Sequence, residues 1–262
     1  MHAQAHVHET SRPRIGAPPL PREHGAWIGL ATACLLGFAT SGAPTIAGLV
    51  ACAAAFAFFA AKASAEHFAI GLRPERATFW LTAFVAAGGL LLASLADRVA
   101  GVPFALAAAM AALFAHGTAR ASKAHRALAW EAAGFFGMAG AAALVALAQG
   151  APLGRALAVW LLVGTWFAAT VPCVRLRVRP ATHRRGLALA SGLAVAGAIL
   201  AALCLAAAGL APARTAFAFA PAVAKLSIVL ARPATRTNAR RVGLEETAWT
   251  ALFAVLLAVL LG

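Results

Sequence analysis

The sequence predicts an all-α fold, a polytopic bundle of about nine transmembrane helices with a cytoplasmic N-terminus. Three observations predict it. Of the 262 residues, 62% are hydrophobic and 11% charged, with a mean hydropathy of +0.83, whereas a soluble domain is nearer half apolar and a quarter charged. The apolar residues fall in runs of roughly 17 to 25, enough to cross a hydrocarbon core as helices. The charges sit in short connections between the runs, with 22 Lys and Arg against 8 Asp and Glu, a net +14. This composition excludes a soluble enzyme, a disordered chain and a disulfide scaffold. Bases confined to interspan loops set membrane orientation, so nucleic acid is not an expected partner.

Residues 1–20 have no apolar core followed by a small-residue cleavage site, so they do not read as a signal peptide. Their Pro and Arg, with His2, His6 and His8, predict a disordered, solvated tail. A single transmembrane domain is expected over residues 21–262. Its first span, Ala26–Ser41, opens at Trp27, and the second, Thr45–Ala61, stops at Lys62. The third, Ala77–Ala96, follows a turn in which Arg73 and Arg76 flank Pro74. The fourth, Gly101–Ala115, stops before His116. The fifth, Ala127–Ala148, carries Gly134, Gly137 and Gly140, whose spacing permits close helix approach. The sixth, Ala156–Val174, runs into a basic VRLRVRP segment, and the seventh is Gly186–Gly209. The eighth is Thr215–Leu230, and the ninth, Val242–Leu261, is opened by Glu245 and Glu246. Spans one, two, four and eight are near the lower length limit, which leaves seven or eight crossings as alternatives.

Nine spans put 19 of the 22 Lys and Arg on the N-terminal face; the other three are Arg98, Arg155 and Arg214. All the loops concerned are short, so the positive-inside rule makes the first face cytoplasmic, in the cell inner membrane. Trp27, Trp80, Trp130 and Trp249 each open a span on that face, at the depth amphipathic rings prefer. Cys34, Cys52, Cys173 and Cys204 form no CxxC pair and read as small hydrophobes in apolar runs.

The acids share this sidedness. Only Asp97 is on the far face, while Glu9, Glu23, Glu66, Glu75, Glu131, Glu245 and Glu246 join the bases. Ionisable groups near lipid are costly unless paired or watered, so such a layer is a candidate site. Three blocks stand out. PREHGAW, Pro21 to Trp27, places Glu23 and His24 before span one, next to the permissive Gly25. KASAEHFAIGLRPER, Lys62 to Arg76, places Lys62 four residues from Glu66 for a helical pair, with His67 next. Basic loops around Arg175, Arg177 and Arg179 and around Arg240 and Arg241 carry guanidinium forks suited to phosphate or carboxylate; in extended backbone the alternating arginines would share a face. Glu245 and Glu246 could pair with Arg240 and Arg241. Glu131, a turn inside span five, should find Arg or His. No ligand-spaced His pair, P-loop, GxSxG, HExxH or Asp-rich motif is present, so neither a metal site nor an identified cofactor is expected.

PREHGAW, the VRLR segment after span six and the RRVGLEE stretch before the last span together resemble the YwiC-like family of bacterial membrane proteins. The resemblance implies that Glu23, His24, Gly25, Arg175, Arg177, Arg241, Gly243 and Glu245 are family-type positions. In architecture the chain is also similar to intramembrane prenyltransferases of the UbiA type, which hold a prenyl diphosphate through Mg²⁺ on Asp-rich loops after spans two and six. Here those loops carry Glu66, Glu75 and Arg175 but no Asp. The leading expectation is a cytoplasm-facing site for a phosphate-bearing lipid or isoprenoid, with transferase chemistry as one form of it. Arg73, Arg175, Arg177 and Arg241 would hold the anion, and Glu66, His67 and His24 would supply acid–base groups. Glu23, Glu131 and Glu245 would complete the polar layer. A small-anion or metabolite transporter and a non-catalytic assembly subunit are the alternatives.

Overall fold

The computed structural model describes residues 16–20, 24–98, 128–178, 184–231 and 239–262, and the side chains of His24, Arg98, Trp130 and Arg240 lie outside that description. The expected fourth span, Gly101–Ala115, and residues Glu23, His116 and Arg179 also lie outside it, as does most of the expected N-terminal tail. Among the described residues the secondary structure is helical, without strands. We number the α-helices α1 His24–Phe38, α2 Ile46–Ala69, α3 Pro74–Ala93, α4 Leu128–Met138, α5 Gly140–Ala148, α6 Leu153–Val178, α7 Arg184–Ala207, α8 Ala220–Ala231 and α9 Ala239–Leu261. Short 3-10 turns cover Ala96–Arg98 and Ala213–Phe219.

Seven segments among the described residues are long and apolar enough to cross a membrane: α2, α3, Glu131–Ala148, α6, α7, Ala213–Ala231 and Arg241–Leu261. Gly25–Phe38 is apolar but shorter. The chain is a multi-pass integral membrane protein. Its outer surface fits that class: Leu189, Leu193 and Leu200 on α7 and Val255 and Val259 on α9 are exposed large hydrophobics, which water would penalise and acyl chains would not.

Local chemistry sets the element boundaries. Thr45 caps α2, its hydroxyl accepting from the Gly48 amide at 3.1 Å. The Gln149 side chain accepts from the Thr45 amide at 2.8 Å and bonds the Thr45 hydroxyl, tying the end of α5 to the start of α2. The turn between α2 and α3 reverses through Gly71 at φ 70 and Arg73 at φ 49, and Pro74 starts α3, where a missing N–H costs nothing. Two expected boundaries move because charge did not stop a helix. α2 continues past Lys62 to Ala69, and α6 continues through Pro172 to Val178.

The fifth span is broken at Ala139 into α4 and α5, where the weak helix formers Gly137 and Gly140 flank the break. Every residue of α5 is buried, as expected for a helix apolar on all sides. It packs against α1, α2 and α6 as the central element. A second packing centre joins α6, α9 and the 3-10 turn: Trp166 stacks on Phe253 with centroids 4.2 Å apart, and Phe219 closes the cluster.

The two ends of the bundle differ. At one end Arg155 donates to the Leu261 carbonyl at 3.0 Å and Arg214 to the Leu260 carbonyl at 2.9 Å. These two bases cap the C-terminus of α9, whose terminal carbonyls lack helical partners. Gln149, Thr45 and the exposed Asp97 share this end with them. The remaining charged side chains among the described residues gather at the other end.

Candidate functional site

The opposite end is built from the C-termini of α2, α6 and α8 and the N-termini of α3, α4, α7 and α9. Its centre is the last turn of α6. Residues two apart on a helix point about 200° apart, so Arg175 and Arg177 serve opposite neighbours. The Arg175 Nε donates to Glu131 Oε2 at 2.8 Å, and its Nη2 lies 2.5 Å from Glu131 Oε1. This two-point fork ties α6 to α4, and Arg175 is only 8% exposed. The Arg177 Nη2 lies 2.7 Å from Glu245 Oε2, and its Nη1 lies 4.0 Å from Glu246 Oε1, tying α6 to α9. The expected shared face for these arginines is therefore corrected: the segment is helical, not extended, and the two guanidiniums diverge.

Glu245 also accepts from the exposed Arg241 at 3.2 Å, one turn back on α9. Glu246 pairs with Lys225 of α8, so its expected pairing with Arg240 or Arg241 gives way to an interhelical one. Lys225 is 2% exposed, deep for an ammonium in an apolar helix. Cys173, one turn inward from Arg177, is buried and lies near Ser191 of α7, Lys225 and Glu246. On the same face of α6, Trp166 Nε1 stands 3.4 Å from the Thr250 hydroxyl.

The other expected residues lie elsewhere on this end. Lys62 donates to Glu66 at 2.9 Å on α2, the pair the spacing predicts. His67 follows, half-buried, and Arg73 is exposed in the turn before α3. α2 packs mainly on α3 and α5 rather than on α6 or α9, so Lys62, Glu66 and His67 form one group while Glu131, Arg175, Arg177, Arg241 and Glu245 form another. Arg76 and Trp80 of α3 hold the carbonyls of Ala17 and Gly16, the latter bond 3.0 Å long.

Sequence reasoning passed over Lys225 and Glu246 as site residues. The signal was present: Lys225 is the one charge in APAVAKLSIVLA, inside a span rather than in a loop. The usual cost of such a position makes it a functional candidate from sequence alone.

Fold and site thus define a helical, multi-pass integral membrane protein whose charged side chains bridge helices at one end. A family model described as YwiC-like protein matches residues 20–147, so over that stretch the chain is similar to the YwiC-like family. The match contains PREHGAW, Glu66, His67, Arg73 and Glu131, while the VRLR and RRVGLEE segments lie C-terminal to it. No curated protein and no solved structure matches the chain.

Proposed function

We propose that the protein binds a phosphate-bearing lipid or isoprenoid at the charged end of the bundle, facing the cytoplasm of a bacterial inner membrane. One observation carries the reading: guanidiniums at the end of α6 are fixed in place by carboxylates of α4 and α9 at the border of an otherwise apolar bundle. A prearranged fork loses little freedom when it takes up a phosphate, and the lipid-exposed faces of α7 and α9 would receive the acyl or prenyl chain. Arg177, Arg241 and Arg175 are the anion-binding groups of this reading, with Arg73 reaching in from the α3 turn. Transferase chemistry would further need Glu66, His67 and His24 to act on the same ligand.

The test is native mass spectrometry of the full-length protein released from nanodiscs of bacterial phospholipid supplemented with a short-chain prenyl phosphate. The reading expects wild type to retain an anionic lipid or the prenyl phosphate, and Arg175→Gln with Arg177→Gln to reduce retention about tenfold, the loss of roughly 1.4 kcal/mol of binding free energy. Equal retention by wild type and variant overturns it. Retention of prenyl phosphate lost in Glu66→Gln would extend the site to α2.

A further inference from the structure

We propose that the interior face shared by α6, α8 and α9 is a proton-coupled anion site, in which Glu246 takes the proton and Lys225 with Arg177 takes the anion. This goes beyond the lipid-binding reading and does not depend on it, because it concerns the buried side of Arg177 rather than the lipid-facing end.

Four charges meet there. Arg177 and Lys225 are cations with side chains 6% and 2% exposed, and Glu245 and Glu246 are anions with side chains 28% and 17% exposed. These four sum to zero, which is what an apolar surrounding demands, and the fifth charge in contact with them, Arg241 on Glu245, is 74% exposed and solvated. It is nevertheless asymmetric. Glu246 Oε2 engages Lys225, while Oε1 is buried without a hydrogen-bond partner among the described residues, with Arg177 Nη1 4.0 Å away. A buried carboxylate oxygen left unmatched is expensive. A proton on that oxygen removes the charge that holds Lys225.

The balance is then simple. Glu246 carboxylate plus one proton gives the neutral acid, Lys225 and Arg177 stay cationic, and the quartet moves from net zero to net +1. One small monovalent anion restores neutrality. Neutral polar groups lie close by: Cys173 and Ser191 beside Lys225 and Glu246, and Thr250, one turn along α9 from Glu246, accepting from the Trp166 indole N–H at 3.4 Å. Below those, Phe219 and Phe253 close the face with aromatic rings. Among the described residues the charged and titratable groups around Glu246 are Arg177 and Cys173 from α6, Lys225 from α8, and Glu245 on α9 itself, with Arg241 paired to Glu245. The other neighbours of α9 are α1, which adds no charged side chain among those described, and the 3-10 turn, whose Arg214 sits at the opposite end. Linkage makes the coupling reciprocal, so lower pH tightens anion binding and anion binding draws in a proton.

The experiment uses purified full-length protein in detergent at pH 6.5, weakly buffered, with a pH-indicator dye. Sodium chloride, nitrate and formate at matched pH are added in turn. The proposal expects at least one of them to draw up to about one proton per chain from solution, by that same linkage. Glu246→Gln should take up none with any of the three, and Lys225→Met likewise. Asp97→Asn, a carboxylate change at the opposite end, should behave as wild type. If Lys225→Met does not fold, the contrast between the two isosteric variants decides alone. No uptake with all three anions, or uptake in Glu246→Gln equal to wild type, overturns the proposal.

Discussion

Removing the Glu131 carboxylate takes the two contacts of its fork from the Arg175 guanidinium. In Glu131→Ala the 8%-exposed Arg175 loses both contacts made by its fork. Breaking a fully buried ion pair costs about 3–5 kcal/mol, and an exposed pair contributes only about 0–1 kcal/mol. The Glu131 side chain is 32% exposed, so the expected cost lies between, roughly 2–3 kcal/mol. For a chain of this size that lowers Tm by about 5–10 °C. The assay is thermal unfolding in detergent followed by circular dichroism. Arg175→Met should lose a similar amount, because it strands Glu131. The double variant Glu131→Leu with Arg175→Met should recover most of the loss, since apolar replacement of both partners is often close to neutral, and its coupling should exceed about 1 kcal/mol. A Tm for Glu131→Ala within 1 °C of wild type, or strictly additive losses in the double variant, would refute the reasoning.

Other outcomes follow from single contacts. A Cβ at Gly37 would stand 2.7 Å from the Ala142 carbonyl and from Val145; Gly37→Ala should therefore cost about 1–3 kcal/mol by overpacking α1 against α5. At Gly29 the one close contact is the flexible terminal methyl of Met138, at 2.6 Å, with the Phe167 ring at an ordinary 3.5 Å, and Gly29→Ala should be within about 1 kcal/mol of wild type once helix propensity is counted; the same thermal assay ranks the two. Trp166→Ala should cost about 3–5 kcal/mol by emptying the space stacked on Phe253, read as the loss of folded protein after purification. Arg155→Ala and Arg214→Ala each free a terminal carbonyl of α9, and each should cost about 1 kcal/mol, with hydrogen exchange rising in the last turn of α9 and unchanged near Arg241.

The helical membrane class was legible because composition and run length report it directly. The separation of charges was legible too, since the short loops show which residues flank which run. Packing was not. α5 reads like any other apolar stretch, yet it is the central helix, and only its neighbours make it so. The arginines of VRLR look like an extended stripe in one dimension. Helix α6 runs on past Pro172 to Val178 despite weak helix formers there, because in an apolar surrounding backbone groups find partners only by staying helical, and the two side chains part by about 200°. Arg155 and Arg214 look like exceptions to a charge count until the end of α9 is seen to need donors. Lys225 was counted with its face, although its place inside a span already marked it. Pairing across helices is long-range, so no local spacing joins Lys225 to Glu246 or Arg175 to Glu131.

The central claim is that the charged quartet and the Arg175–Glu131 fork occupy one face of the membrane, opposite the end capped by Arg155 and Arg214. The direct measurement is labelling of single cysteines by a membrane-impermeant maleimide, in a background with the four native cysteines replaced by alanine. Cysteine at position 241 or at position 97 is compared in inverted and right-side-out vesicles. The account predicts that position 241 labels only from the cytoplasmic side and position 97 only from the other. Labelling of both from the same side would contradict it.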